Sequence, residues 1–388
     1  MKRGPTKTLG EVLEVSRERI EPTEHPNTCF NYVGLESIEG HTGKLLRYQL
    51  TSGVEIKSTK NVFHRGEILY GKLRPYLNKV HLATGDGICS TDIYVLRPRQ
   101  RQIHPSFAAY YLRSPSVLAL LSNAMAGANL PRISQESLLS IPVPLPPLAE
   151  QERLVKLLDE ADELRKLRAQ ADRRTFDLIP ALFYEMFGDP LLNPKGYPVQ
   201  QLEYVCSKIT DGTHQPPPFS DKGIPFLFVR NIVKGYIDFD TEKFITEETF
   251  AELTRRAKPE LGDILYSTVG SYGVAVQVET DRKFAFQRHI GHLKPDRKKV
   301  DSGFLTAQLN TPFLKSQADK SARGVAQKTV NLAEIRNFEV LVPPLSLQKE
   351  FAMRVAEIQA LEAEQAASRS NLDALLQSLL HRAFSGDL

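Results

Sequence analysis

Residues 141–155 read IPVPLPPLAEQERLV, and residues 338–352 read FEVLVPPLSLQKEFA. Each is a Pro-Pro pair running straight into an amphipathic helical pattern. The two lie 197 positions apart, Pro146 matching Pro343 and Gln151 matching Gln348. The offset holds outward from the quoted phrases. Phe107 matches Phe304, Leu112 matches Leu309, Pro115 matches Pro312, Gly127 matches Gly324 and Phe187 matches Phe384. LRP at 96–98 matches LKP at 293–295, and with a slight drift GEILY at 66–70 matches GDILY at 262–266 and Leu9 matches Leu202. A period this long marks a tandem duplication of a whole domain and not a solenoid.

Each copy has the same internal order. Short runs rich in aromatic and branched residues come first, bounded by Gly, Asp and Pro, as strands require. They are FNYVGL, EILYGKL and ICSTDIYVLRP in one copy, and IPFLFVRNI, GDILYSTVGSYGVAVQV and HIGHLKP in the other. A short helical stretch follows (FAAYYLRS, FLTAQLNT), then a Gly loop and the Pro-Pro phrase. Pro suits a helix start because the first amides have no intrahelical partner.

The helices after the Pro pairs are long. Leu154, Leu157, Ala161, Leu164, Ala171, Leu178 and Leu182 recur at three- and four-residue steps, as do Phe351, Val355, Ile358, Leu361, Leu372, Leu376 and Leu379. That spacing predicts a narrow packing seam. A helix of ~40 residues spans about 60 Å, with a kink expected near Pro180. The helices are expected to stop near Gly188-Asp189 and Gly386-Asp387, and DPLLNPKGYP reads as a turn-rich linker. The predicted fold class is α+β: two globular mixed α/β domains separated by two long antiparallel helices in a coiled-coil-like pair, a pseudo-two-fold tandem repeat. Expected boundaries are 1–146 for the first globular domain, 147–190 for the first helix and junction, 191–343 for the second domain and 344–388 for the second helix.

Charge follows the same division. Lys and Arg exceed Asp and Glu by 18 to 12 in 1–146 and by 21 to 18 in 191–343, whereas the acids lead by 10 to 7 in 147–190 and by 6 to 4 in 344–388. Basic heads alternate with acidic helices. Duplex DNA has local two-fold symmetry, and equivalent modules read half-sites about one helical turn, ~34 Å, apart. Two basic heads on an acidic strut suit a bipartite DNA reader, and heads of unlike sequence suit unlike half-sites. Three cysteines far apart (Cys29, Cys89, Cys206), no apolar N-terminal core and no apolar run near 20 residues point to a cytoplasmic chain without membrane contact.

The residues that carry this pattern resemble a known family. Over essentially its whole length the chain is similar to the specificity (S) subunit of type I restriction–modification systems. GEILYGKLRPYLNKV and GDILYSTVGSYGVAVQV resemble segments of its target-recognition domains, SIPVPLPPLAEQERLV and FEVLVPPLSLQKEFA its two repeated helical regions, and FGDPLLNPKGYP its central junction. One departure is Leu347, which stands where the first copy has Glu150. The resemblance implies a non-catalytic chain that binds double-stranded DNA, two methyltransferase (M) subunits and two restriction (R) subunits. The M subunits would use S-adenosylmethionine and the R subunits ATP and Mg, with no cofactor in this chain. It also implies that the helices dock M, through Leu154, Leu157, Leu164, Phe351, Val355 and Ile358.

The residues themselves offer no catalyst. There is no NPPY-like tetrapeptide, Asn193-Pro194 being the sole Asn-Pro pair, and no GxxxxGK[ST] loop. His289 and His292 have a metal-compatible spacing but no third ligand nearby, and read as surface or base-contacting residues. Asp238, Asp240 and Glu242 read as alternating acids on a solvated strand or turn. Two rivals stay open: a stand-alone DNA methyltransferase or nuclease, and a duplicated protein-binding scaffold.

The candidate DNA contacts in the first head are Lys72, Arg74, Tyr76, Asn78 and Lys79, packed into KLRPYLNK. Arg and Lys neutralise phosphate, and Arg and Asn pair with guanine and adenine edges. In the second head they are Arg230, Asn231, Ser271, Tyr272, Gln287, Arg288 and His289. The loops before the helices add Asn129 and Arg132 in one copy and Gln327 and Lys328 in the other, as a shared phosphate clamp.

Overall fold

The computed structural model describes residues 5–46, 49–99, 102–124, 131–324, 327–385 and 387. Asn129, Gly127 and Gly386 lie outside them. The chain forms two compact units, 1–169 with 366–388, and 170–365. Each unit therefore takes a head, the start of the helix that follows it, and the end of the other copy's helix.

The first unit is built on a four-stranded antiparallel sheet in the order Leu13–Val15, Ile93–Pro98, Ile68–Gly71, Val80–Leu82. The second repeats that order with Cys206–Asp211, Ile290–Pro295, Ile264–Ser267 and Ala275–Gln277. Ile68–Gly71 and Ile264–Ser267 are buried at every position, which is why their sequences are continuous apolar runs. Each unit also ties its first strand to the strand before the Pro-Pro phrase, Thr6–Thr8 to Pro142–Pro144 and Val199–Gln201 to Glu339–Leu341. The second sheets differ. The first head has five strands (Arg19–Ile20, Lys60–Phe63, Gly87–Cys89, Cys29–Val33, Gln49–Ser52), and the second has three (Phe244–Ile245, Ile224–Leu227, Ala285–Phe286).

ICSTDIYVLRP, read as one run, is two strands in two sheets. The chain turns at Ser90–Asp92, where the Ile93 amide bonds the Ser90 carbonyl at 3.0 Å and the Ser90 hydroxyl accepts from the Asp92 amide at 3.2 Å. The predicted short helices are present as Pro105–Arg113 and Ser302–Leu309.

The Pro-Pro phrase has a physical explanation. Gln151 is 1% exposed, donates to the Pro146 carbonyl at 2.9 Å and accepts from the His104 amide at 2.8 Å. Gln348, fully buried, donates to the Pro343 carbonyl at 2.7 Å and accepts from the Asp301 amide at 2.8 Å. His104 and Asp301 are the N-caps of the short head helices. One buried amide thus locks helix start to head in each copy, and a buried polar group is tolerated because both its ends are bonded. The one departure between the phrases is also explained. Glu150 turns outward to Arg153 at 2.7 Å, whereas Leu347 packs on the core of the second unit.

The first long helix runs Leu148–Phe176 and resumes as Leu178–Phe187. The break at Asp177 follows Phe176, the residue whose carbonyl the Pro180 ring would crowd and to which Pro180 has no N–H to donate. The second is continuous over Leu345–Ser385. In the first unit Leu158 and Ala161 pack with Leu376 and Leu380, and Arg165 lies 3.8 Å from Asp373. In the second Thr175 donates to Gln365 at 3.0 Å, and Phe183 and Phe187 pack on Phe351 at ring distances of 5.8 and 5.4 Å. Rising numbers on one helix meet falling numbers on the other in both units, so the pairing is antiparallel. The ends are aromatic in matching positions, Phe384 on Phe107 at 5.1 Å and Phe187 on Phe304 at 4.7 Å.

The seam corrects the sequence expectation in one respect. Leu164, Leu178 and Leu361 are exposed, and the inward positions between the aromatic ends include Asp162, Arg165, Thr175 and Gln365. The reading of an all-apolar stripe fails there because the seam follows 3.5-residue steps from Leu154 and Phe351, which land on polar residues in the middle.

Candidate nucleic-acid interface

Both heads end their central sheet in the same backbone frame. In the first, the Lys72 amide bonds the Asp92 carbonyl at 2.9 Å, the Ile133 amide bonds the Lys72 carbonyl at 3.1 Å, and the Arg74 amide bonds the Pro131 carbonyl at 2.8 Å. In the second, Thr268 bonds His289 at 3.1 Å, Val330 bonds Thr268 at 2.9 Å and Gly270 bonds Lys328 at 3.0 Å in the same roles. The bridges Leu73–Arg132 and Val269–Thr329 complete the match. The loop before the helix is therefore laced to the strand tip in both heads. The register places Thr329, not Lys328, opposite Arg132, a one-residue correction to the paired clamp.

The side chains on that frame differ. In the first head the Lys72 ammonium sits over the Tyr94 ring at 4.4 Å, and Arg132 pairs with Asp92 at 2.8 Å. Burial pulls the Lys72 ammonium below its ordinary value, against the attraction of Asp92. Arg74 is exposed, with no side-chain partner among the described residues, and Tyr76 is 48% exposed. Arg74 holds φ +49°, in the left-handed region, as the cap of the short turn Pro75–Leu77.

In the second head five of the sequence candidates, Arg230, Ser271, Gln287, His289 and Gln327, line one cleft of about 560 Å³. Phe228, Val229, Val233 and Val269 supply its apolar wall, and Glu242 and Lys243 join from a loop that sequence reasoning took for a solvated turn. Arg230 stacks over Phe228 at 5.7 Å, and Arg288 and Lys328 are exposed. Burial, with Arg288 adding to it, lowers the His289 imidazole from its ordinary value. The ring is then neutral at pH 7; its Nε2 accepts from the Arg288 Nε–H at 3.3 Å, which leaves the Nδ1–H as a donor.

Several candidates are structural instead, and the expectation of a DNA contact is corrected for them. Asn78 is 5% exposed and donates to the Arg113 carbonyl at 3.0 Å, and Lys79 donates to the Leu35 carbonyl at 2.6 Å. Asn231, 2% exposed, accepts from the Phe228 amide and donates to the Asp238 and Asp240 carbonyls. Tyr272 bonds Asp319 at 2.8 Å under the Lys315 ammonium. His292 is fully buried and bonds Asp263 at 2.7 Å, so it is neither a surface nor a base-contacting residue. Turn chemistry put polar residues in these loops for backbone satisfaction, which a composition cue does not separate from recognition.

The helical docking candidates divide likewise. Leu154 and Phe351 are fully buried and Val355 is 8% exposed, each within the core of its own unit, so they present nothing outward, a second correction. Leu164 is 52% exposed, Leu157 and Ile358 are half-buried, and Leu167, Met353 and Leu375 add exposed apolar surface that sequence reasoning missed. No helix among the described residues is long and apolar enough to cross a membrane. No group of three or more His, Cys, Asp or Glu among them could hold a metal.

The family model described as the type I restriction modification DNA specificity domain matches residues 5–172 and 220–367. The EcoDI type I restriction enzyme specificity subunit of Escherichia coli is 34% identical over 181 residues, 46% of this chain and 40% of that protein. The EcoBI specificity subunit of Escherichia coli is 24% identical over 315 residues, 72% of this chain and 65% of that protein. The matches thus span less than two thirds of the length of these two relatives. A solved structure from work on complex assembly and conformational transition of the type I R-M system is 25% identical, with a TM-score of 0.66 over 100% of this chain and 99% of that one.

Proposed function

Because the chain belongs to the type I restriction modification DNA specificity family, we propose that it is the DNA-reading subunit of such a complex, with each head reading one half of an asymmetric bipartite target. The observation that carries this reading is the shared frame with unlike side chains: Lys72, Asp92 and Arg132 stand in the first head where Thr268, His289 and Thr329 stand in the second. A common frame presents both heads to a duplex in the same way, and different side chains make different base choices. Arg74, Arg230, Arg288 and Lys328 are exposed cations suited to phosphate.

In this reading the chain performs no chemistry. Its helices dock two methyltransferase subunits, which use S-adenosylmethionine, and the assembly takes two restriction subunits, which use ATP and Mg. The exposed Leu164, Leu167, Met353 and Leu375 support docking, since apolar side chains on an outer helix face are interface material. The test is a mobility-shift titration of target and non-target duplex with the methyltransferase subunit present, at stated salt. Sequence-selective binding without turnover by the isolated chain is expected. Methylation or cleavage by that chain alone defeats the proposal, and so does the absence of DNA binding by the complex.

A further inference from the structure

The second head's cleft contains one group that its surroundings do not explain. Glu242 is exposed and is the one acid on a cleft otherwise lined by cations, amides, Ser271, His289 and apolar side chains, among the described residues. Its carboxylate has no partner among the described residues. The two cations that line the cleft with it sit over rings, Arg230 over Phe228 at 5.7 Å and Lys243 over Phe219 at 5.3 Å. Asp238 on the same loop is, by contrast, a loop cap: it takes Lys234 at 2.9 Å and the Asp240 amide at 3.0 Å.

Glu242 is nevertheless held in place. The buried Asn231 binds the Asp238 and Asp240 carbonyls at 2.8 and 3.1 Å. Thr241 donates to the Phe226 carbonyl at 3.2 Å, and the Phe226 amide bonds the Lys243 carbonyl at 2.9 Å. The residues on both sides of Glu242 are therefore anchored to the core strand Ile224–Leu227. An unpaired carboxylate carried on an anchored backbone beside DNA repels phosphate and lowers affinity for every sequence. Its compensating use is as a pure acceptor. It can take a hydrogen bond from the exocyclic amino group of cytosine or adenine, and it has nothing to donate to guanine O6 and N7 or thymine O4.

We propose that Glu242 is a specificity-determining residue of the second head, accepting from the amino group of one base of that half-site. This rests on the DNA-reading proposal above. In the test, the full chain, alone and in complex with its methyltransferase partner, is titrated against duplexes carrying each base pair at each target position, as wild type, E242A and E242Q. The wild type is expected to prefer an amino-bearing base at one position by about 10- to 100-fold. E242A loses that single preference and binds non-specific duplex more tightly. E242Q, which is nearly isosteric and keeps an acceptor, retains part of the preference. A base analogue lacking the amino group weakens wild-type binding by the same factor and leaves E242A unchanged. If both variants keep the full preference at every position while the wild type discriminates, the inference is overturned and the reader proposal stands. If the wild type discriminates nowhere, the reader proposal falls, and this inference falls with it.

Discussion

The two heads share a four-stranded sheet of identical order, a buried glutamine that clasps the helix start, and a loop laced to the sheet tip by equivalent backbone bonds. They differ in the second sheet, five strands against three, and in the side chains carried by the tip. What is common is what packs. What differs is the second sheet and what the tip presents outward. The same contrast runs through the sheet interior. In the first head Glu67 pairs with Arg97 at 2.5 Å, while in the second the equivalent Asp263 binds both Lys294 and the buried His292 at 2.7 Å. A buried acid is retained at one frame position in both copies, but only the second head encloses its partners.

That difference in enclosure gives the largest expected effect. Asp263→Ala takes the carboxylate from the buried His292 and leaves Lys294 with Glu260 alone, and should cost about 3–5 kcal/mol. Glu67→Ala leaves Arg97, whose side chain is 42% exposed, free to reach water and should cost clearly less. Thermal unfolding of both variants checks this, and equal losses would break the comparison. Burial pushes the Asp263 carboxyl up, but its bonds to His292 and Lys294 outweigh that and hold it below the ordinary carboxylate range. A carboxyl lowered in the folded state adds stability that is complete above its unfolded value, near 3.8, and lost as pH falls through the folded one. The wild type should therefore lose stability on acidification through this region, and Asp263→Ala should lose less. A pH series of unfolding midpoints reads both.

The glutamine clasps should behave alike. Gln151→Ala and Gln348→Ala each leave a buried amide and a buried carbonyl unpaired, and each should cost about 1–3 kcal/mol. A denaturant titration in which one variant loses much more than the other would show that the heads are not clasped equivalently.

The frame tips should not behave alike. Arg132→Ala should weaken DNA binding and reduce the salt slope of affinity by about 1, whereas Thr329→Ala, at the equivalent place, should leave the slope unchanged. Affinity measured across a salt series decides it. The smallest effect on folding should come from the helices. Leu164→Glu should change stability by no more than about 0.5 kcal/mol, being a surface substitution, while weakening association with a methyltransferase partner in a pull-down or titration. Retained association would remove Leu164 from the docking surface.

The duplication, the Pro-Pro helix starts, the antiparallel helices and the strands at Ile68–Gly71 and Ile264–Ser267 were legible in the sequence. All rest on local propensity and periodicity, which are properties of consecutive residues. The break before Pro180 was legible for the same reason. Five of the nine DNA-facing candidates in the second head, Arg230, Ser271, Gln287, His289 and Gln327, do converge on one cleft. Asn231 and Tyr272, which sequence reasoning placed beside them, are consumed by the fold.

Sequence alone determined the number of heads, their internal order and the residues that begin each helix, because a 197-residue repeat and a helical period can be read along a line. Only the tertiary structure decided which polar residues are spent on backbone and core and which remain exposed. It alone set Lys72 against Tyr94, paired Arg132 with Asp92, and left Glu242 unpaired. Whether a side chain is satisfied depends on groups that distant parts of the chain bring within about 3 Å, the reach of a hydrogen bond, and no linear pattern encodes that proximity.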